Sequence, residues 1–302
     1  MSANLELKTL EYSFFKELSS NKKLSSNTKL AYKSDIQKFV SFIEQKGIVY
    51  LQDLDEAVLM KYFGQKSFLN SQSTFRRNIS SVRYFLRFAR QKSGIDLLVL
   101  VKGIHSAKVA KKPRQIISPS EIKGLLENMP EESFISKRNK LIMLMIYTTG
   151  IQASELCNLR LSDVNLQEKC IIVGGKAKRK IIFSELLHSY LSDYIIERAA
   201  MLPQNQAIEN NVFFLSNTFS KLTRQSIYLI VKKYSEKVGQ RVSPRTLRNS
   251  VLAHLIEDGA DEEVLKQAFG YKSNVPDRSD FISGETGGSS AYLSSNPILR
   301  KK

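Results

Sequence analysis

The stretch SPRTLRNSVLAHLIEDGAD, residues 243–261, decides how the second half of this chain folds. Serine followed by proline at its start predicts the first turn of a helix, and Gly259 predicts where that helix ends. Apolar residues recur at helical spacing and would face a core. They are Leu247, Val251 and Leu255.

Arg245 and Arg248 stand three residues apart in the first turns of this predicted helix, next to Asn249, and we expect all three side chains to point away from the core. Side chains at this spacing share one helix face, so we expect both guanidinium groups to point toward one spot outside the core. The helix N-terminus adds backbone N–H groups that favour an anion. The pattern therefore predicts a phosphate site.

The charge balance of the chain points to a polyanionic partner. Its 302 residues include 46 Lys and Arg against 29 Asp and Glu, a net charge of +17. Such an excess attracts nucleic acid. A protein that is simply rich in lysine would show the same composition, so charge alone does not decide between the two.

Other classes of protein find little support in the sequence. Two cysteines, Cys157 and Cys170, and scattered histidines predict neither disulfides nor a metal site, and we expect no cofactor. The longest apolar run, LIMLMIY at 141–147, is too short to span a membrane. The first residues lack the pattern of a signal peptide. We expect a cytoplasmic protein without a membrane partner.

The first part of the chain reads as a helical domain, residues 1–101, with helices over 27–46 and 73–92. The apolar stripe of the first of these helices includes Leu30. A basic linker follows at 102–117. Basic residues on the helices and in the linker are candidate DNA contacts, together with one on a later helix: Lys29, Lys33, Arg76, Arg77, Arg83, Lys111, Lys112 and Arg224.

A second domain is predicted over residues 118–275. Ser118 and Glu121 form a capping signature, and residues 138–149 read as a buried helix. The segments KCIIV and RKIIFS flank GGKAK, which predicts two strands of a β-hairpin. A polar tail rich in Gly and Ser follows at 276–302. The fold class is thus mainly α with a small β-hairpin or sheet.

The order of these segments resembles the tyrosine recombinase (phage integrase) family, most closely its Xer-type bacterial members. The motifs are RNKLIMLMIYTTGIQASELCNLRLSDV, the hairpin GGKAKRK, LTRQSIYLIVKKY, the stretch that begins at Ser243, and VLKQAFGYKS. NTKLAYKSDIQKFVSFI and RRNISSVRYFLRFA resemble the helical SAM-like core-binding domain of that family. The resemblance covers residues 10–275 and implies an α+β catalytic-type second domain, with both domains holding duplex DNA.

In this family a tyrosine attacks a DNA phosphodiester while arginines hold the phosphate and a hairpin lysine protonates the leaving oxygen. The resemblance assigns the lysine to Lys176 and the central arginine to Arg248, and both are retained. Three further positions are substituted: Gln152 stands for the first arginine, Arg245 for a histidine and Tyr271 for a histidine or tryptophan. Glutamine cannot form the charged fork of a guanidinium group.

The nucleophile is missing from its usual place, where this chain has Asp280 and Phe281. Each lost donor to the transition state costs on the order of 10²–10³ in rate. We therefore expect a DNA-binding protein of this family whose cleavage is lost or impaired. An active recombinase that uses a displaced tyrosine, Tyr292, is the alternative, and Tyr271 is a weaker candidate nucleophile.

Two further hypotheses stay open: a decayed gene with a frameshift near residue 272, and a basic helical scaffold that meets only protein. The resemblance also implies assembly on DNA, as a homo-oligomer or as a hetero-oligomer with an active recombinase. The DNA target and the biological process are not readable from these residues.

Overall fold

The computed structural model describes residues 6–69, 71–104, 113–174, 178–202, 211–237, 239, 242–271 and 273–283, and at 68, 282 and 283 the backbone alone. The chain divides into two compact units, Met1–Ala110 and Lys111–Lys302. Each has a hydrophobic core of its own. Within the described residues, no helix is both long enough and apolar enough to cross a bilayer.

The first unit is helical. Its helices are α1 Leu7–Ser20, α2 Ser26–Glu44, α3 Glu56–Leu69 and α4 Gln72–Ser93. Side chains of Ser25, Asp55 and Ser71 accept hydrogen bonds from backbone N–H groups three residues on, which satisfies donors that a helix start leaves unpaired. Within the core, aliphatic side chains surround aromatic rings that make edge-to-face contacts with one another. Leu30, predicted as part of the apolar stripe, is instead 67% exposed.

The second unit combines helices with two small sheets. Its elements are β1 Arg114–Ile116, α5 Pro119–Glu127, α6 Phe134–Thr149, α7 Ala153–Asn158, β2 Val164–Asn165, β3 Cys170–Val173, β4 Arg179–Ile182, α8 Glu185–Met201, α9 Arg224–Lys237, α10 Pro244–Glu257, α11 Glu262–Phe269 and β5 Phe281–Ser283. The predicted capping box of Ser118 and Glu121 is present at α5. Cys157 and Cys170 are buried free thiols.

The predicted hairpin is part of a three-stranded antiparallel sheet in the order β2-β3-β4. In its register Ile171 lies opposite Ile181, and Val173 lies opposite Arg179. The third strand, β2, is only two residues long and was not predicted, because so short a segment carries no periodicity.

The second sheet joins two segments that are far apart in the sequence. β1 pairs in parallel with β5, with Arg114 opposite Phe281. Residues 114–116 had been assigned to the linker, and 281–283 to the polar tail. Neither segment shows a strand pattern by itself, since each is only three residues long and is stabilised by its partner.

The buried helix α6 packs against α8 and α10 and contributes a continuous run of buried side chains, residues 141–147, to the core of this unit. On α10, Leu247, Val251 and Leu255 are almost completely buried, as their spacing predicted. Asn249 is also buried, at 8% exposure, whereas we expected it to point outward. These buried side chains fix the rotation of α10 about its axis, and therefore the direction in which its arginine side chains point.

His254 on α10 gives this unit a pH-dependent stability. Burial lowers its pKa from 6.5 to about 4, against a smaller opposite effect of a backbone hydrogen bond at Ile117. As the pH falls from 6.5 toward 4, the unfolded chain binds the proton and the folded chain does not. We expect the free energy of unfolding to fall by on the order of 3 kcal/mol across this window.

Urea unfolding of the wild type and of His254→Gln at a series of pH values between 7 and about 4.5 checks this expectation. The variant should be less stable at neutral pH but should lose less stability on acidification. Parallel pH profiles for the two proteins would show that His254 does not cause the loss.

Candidate functional site

Arg248 is the centre of the candidate site. Its Nη1 donates to the carbonyl oxygen of Gly150, and its Nη2 donates to the carbonyl oxygen of Phe269. The guanidinium carbon lies 4.9 Å from the centre of the Phe269 ring and 5.9 Å from that of Tyr271. Burial lowers the pKa of Arg248, although the group stays charged near neutral pH.

The two carbonyl groups belong to the ends of two helices. Gly150 ends α6 with φ +62°, and Gly270 ends α11 with φ +68°. Helix C-termini carry unsatisfied carbonyl oxygens and partial negative charge, so a cation is favourable there. A guanidinium group has five N–H donors, and the two carbonyls use two of them. Arg248 is therefore held in place and still has donors for an anion.

Arg245 has a different environment from Arg248. It is exposed, and it makes no hydrogen bond or ion pair with any residue that the structure describes. The two side chains leave neighbouring parts of one helix, but Arg248 turns inward to Gly150 and Phe269. The convergence of both guanidinium groups on one anion stays a prediction. The carbonyl groups that bind Arg248 come from other elements of the fold, so the local spacing of the two arginines does not reveal them.

Gln152 lies at the start of α7, two residues after Gly150. Its side chain is exposed, and its backbone N–H donates to Oε2 of Glu155 at 2.8 Å. The side-chain amide adds no charge to the site. Gln152 thus sits at the same turn as Gly150, whose carbonyl binds Arg248.

Arg179 is a residue that the sequence did not single out. It forms a two-pronged ion pair with Glu155, and its Nε donates to the carbonyl oxygen of Ala268 at 2.8 Å. Both side chains are largely buried, at 14% and 13% exposure. Arg179 and Arg248 thus bind consecutive carbonyl groups, those of Ala268 and Phe269, at the end of α11. A basic residue at the foot of a hairpin was the only sequence signal for this role.

Tyr271 lies two residues after the end of α11 and is half-buried. Its ring stacks on Phe269, with centroids 6.4 Å apart and an interplanar angle of 13°. It therefore supports the arginine from one side. Lys176, assigned as the retained lysine, and Tyr292, the alternative nucleophile, lie outside the described residues, as do Lys111 and Lys112.

Two of the candidate DNA contacts are engaged within the first unit. Arg77 makes two hydrogen bonds to buried Asp35, at 2.9 and 3.1 Å. Nη2 of Arg83 donates to the carbonyl oxygens of Val101 and Ile104. These arginines hold α2, α4 and the end of the unit together, a role that the helix pattern alone could not distinguish from surface charge.

The other described candidates have fewer contacts with the rest of the first or second unit. Lys33 is exposed above the ring of Phe15, and Lys29 donates to the carbonyl oxygen of Ser19. Arg76 is exposed on α4. Arg224 is exposed at the start of α9 and has no hydrogen-bond or ion-pair partner among the described residues. A role of these residues in DNA binding stays a prediction.

Among the residues that the structure describes, no group of three His, Cys, Asp or Glu side chains could hold a metal ion. What the arrangement can do is bind an anion at a fixed guanidinium group. A hydroxyl nucleophile at the position of Phe281 is excluded by the residue type, because its side chain is a phenyl ring in β5.

Comparison with known proteins follows the same division of the chain. The model of the phage integrase family matches residues 115–275, and the model of the phage integrase N-terminal SAM-like domain matches residues 12–93. Tyrosine recombinase XerC of Thermodesulfovibrio yellowstonii is 27% identical over 271 residues, which are 86% of this chain and 87% of that protein.

Solved structures share the fold. The XerH site-specific recombinase bound to a palindromic difH substrate aligns with a TM-score of 0.70 and 21% identity, over 87% of this chain and 78% of that one. A lambda integrase tetramer bound to a Holliday junction aligns with a TM-score of 0.65 and 16% identity, over 90% and 79% of the two chains.

Proposed function

The chain belongs to the phage integrase family, and from this premise we propose that it binds double-stranded DNA while strand cleavage is lost or severely impaired. The solved relatives named above are bound to DNA. In this chain a fixed Arg248 and a net charge of +17 favour phosphate.

The observation that carries the loss of cleavage is Phe281. At the place where the family has its tyrosine, this chain has Asp280 and Phe281, and the backbone there pairs with β1. The ring of Phe281 packs against the core, with the Arg114 guanidinium carbon 5.7 Å from its centre. A phenyl ring cannot form a phosphotyrosyl bond, since covalent catalysis needs an oxygen nucleophile there.

Gln152 removes a second part of the chemistry. A pentacovalent phosphorus gathers negative charge, and a neutral amide stabilises that charge less than a guanidinium fork does. Binding of a ground-state phosphate depends less on this position, because Arg248 and the general basic charge remain. The proposal therefore separates binding, which is kept, from cleavage, which is lost.

DNA binding should depend steeply on salt. We expect the logarithm of the binding constant to fall linearly with the logarithm of the salt concentration, by about 0.9 for each neutralised phosphate. Replacing the exposed Arg224 with alanine should weaken binding and lower this slope by about 1. Fluorescence anisotropy of labelled duplexes from the neighbourhood of the gene measures both quantities.

Lys123→Ala is the matched control for this titration, because Lys123 is exposed on α5 but its charge is offset by Glu127. Its slope should stay close to that of the wild type. Binding that does not respond to salt would contradict phosphate contacts as its basis. No binding at all would contradict the proposal and favour a scaffold that meets only protein.

An active recombinase that uses Tyr292 is the alternative function. It would form a covalent DNA adduct that disappears in Tyr292→Phe, and cleavage at Tyr271 would disappear in Tyr271→Phe. We also propose that the chain assembles on DNA with itself or with an active recombinase. Sedimentation that shows only monomers, with and without DNA, would rule out self-assembly.

A further inference from the structure

Arg138, in the second turn of α6, is a buried cation. Its side chain belongs to a residue that is only 3% exposed, and it forms no ion pair with any residue that the structure describes. Burial lowers the pKa of its guanidinium group, because the charged form loses its hydration. A buried charge without a counter-charge is costly, so it is tolerated only where its N–H donors meet good acceptors.

The acceptors of Arg138 lie in two places. Its Nη1 donates to the carbonyl oxygen of Leu215 at 2.6 Å and lies 3.4 Å from Oδ1 of Asn217. Its Nε and Nη2 both donate to Oδ1 of Asn139, at 3.1 and 2.8 Å. Nδ2 of the same amide donates to the hydroxyl oxygen of Tyr234 on α9, at 3.3 Å. One guanidinium group therefore binds the chain before α9 and, through Asn139, α9 itself.

The segment from Leu215 to the start of α9 is held by contacts along its length. Leu215 and Lys221 form an antiparallel bridge. Leu222 comes next and is buried in the core of the unit. Thr223 then caps α9, since its hydroxyl group accepts from the backbone N–H three residues on, at 3.0 Å. The position of Arg224, the first residue of α9, thus depends on how Leu215 is held.

A second buried arginine binds the same segment from α8. Nε of Arg198 donates to the carbonyl oxygen of Phe213 at 3.1 Å, and its Nη2 donates to that of Val212 at 2.7 Å. The hydroxyl group of Tyr194 also donates to the carbonyl oxygen of Phe213, at 3.2 Å. Buried carbonyl groups in an irregular segment need such donors. Both arginines hold the segment, and Arg138 in addition connects it to α9.

We propose that Arg138 is a positioning residue for DNA binding, which holds the start of α9 so that Arg224 meets a DNA phosphate in a fixed orientation. The inference rests on the proposed DNA binding and on Arg224 as one of its contacts. Arg224 is exposed and has no hydrogen-bond or ion-pair partner among the described residues, so the direction of its side chain depends on where α9 begins. A backbone that is already ordered loses less entropy when the contact forms.

A double-mutant cycle tests this connection. Arg138→Met removes the charge and the donors but keeps a long side chain, and Arg224→Ala removes the proposed contact. Each change should weaken binding of a labelled duplex about tenfold, the size of one hydrogen bond to a charged group, and lower the slope of the salt dependence by about 1. In the double variant the total loss should stay about tenfold and the total change in slope about 1, because both changes remove the same contact.

Leu125→Ala is the matched control for lost stability, because Leu125 is buried on α5, outside this connection. It should lower the melting temperature but leave affinity and slope unchanged, at a temperature where circular dichroism shows every variant folded. If Arg138→Met does not fold, Tyr234→Phe takes its place, since it removes only the hydroxyl group that Asn139 binds. That change should weaken binding about threefold, and it should have no effect when Arg224→Ala is already present.

Wild-type affinity and slope in Arg138→Met, or in Tyr234→Phe where that variant replaces it, would overturn the inference and leave the proposed DNA binding intact. Effects that multiply in the double variant would overturn it as well, because the two residues would then act independently. Wild-type binding by Arg224→Ala would do the same, since there would be no contact to position. Failure of the wild type to bind the duplex would instead contradict the proposed function, and the inference with it.

Discussion

Replacing Glu155 with glutamine is expected to lower the free energy of unfolding of the second unit by about 3–5 kcal/mol. The change leaves the Arg179 guanidinium charge in a largely buried place without its counter-charge. It also weakens the hold of Arg179 on the carbonyl group of Ala268. The end of α11, and with it the support of Arg248, should loosen.

Urea unfolding measures this loss, and Glu168→Gln is its control. Glu168 pairs with Lys180, the neighbour of Arg179, but both of those side chains are half exposed or more. An exposed pair contributes at most about 1 kcal/mol. Similar small losses for the two variants would show that the Glu155–Arg179 pair is not the strong connection that its burial indicates.

Gly150→Ala is expected to cost about 2–5 kcal/mol through two effects. The backbone at Gly150 has φ +62°, which an L-residue adopts at a cost of about 1–2 kcal/mol. A Cβ atom there would also lie 2.5 Å from Cε1 of Phe269, so the ring would have to move, at a further cost of about 1–3 kcal/mol. The ring packs on Arg248, so DNA binding should weaken as well.

Gly259→Ala separates the two effects. Gly259 has a similar positive φ, +77°, but a Cβ atom there would meet nothing within 4 Å. Its replacement should therefore show the conformational cost alone and should not change DNA affinity. If the two alanine variants lost the same free energy of unfolding, the close approach of Gly150 to Phe269 would not contribute to the cost of Gly150→Ala.

Local patterns in the sequence predicted several of the helices and where they start. Ser118 and Ser243 each begin a helix as expected, because a capping residue acts within one turn of itself. The two-domain fold of the phage integrase family was also predicted from the order of the motifs, and the family models confirm it.

The site itself was less predictable, because its contacts join residues far apart in the chain. Arg248 binds a carbonyl group 98 residues away, and Arg179 binds one 89 residues away. The pairing of β1 with β5 also joins segments that are far apart in the sequence. Arg77 and Arg83 were predicted as surface charges available to DNA. In the structure they instead donate hydrogen bonds to the Asp35 carboxylate and to the backbone carbonyl of Val101.

The most direct test of the central claim is to measure binding and cleavage in one sample. The full chain is mixed at low salt with a nicked suicide duplex, in which a cleaved strand cannot be religated, and the mixture is divided between a native gel and an SDS gel. We predict a shifted complex on the native gel and no SDS-resistant adduct. An adduct that forms with the wild type and is lost in Tyr292→Phe would contradict the account and show that this chain is an active recombinase.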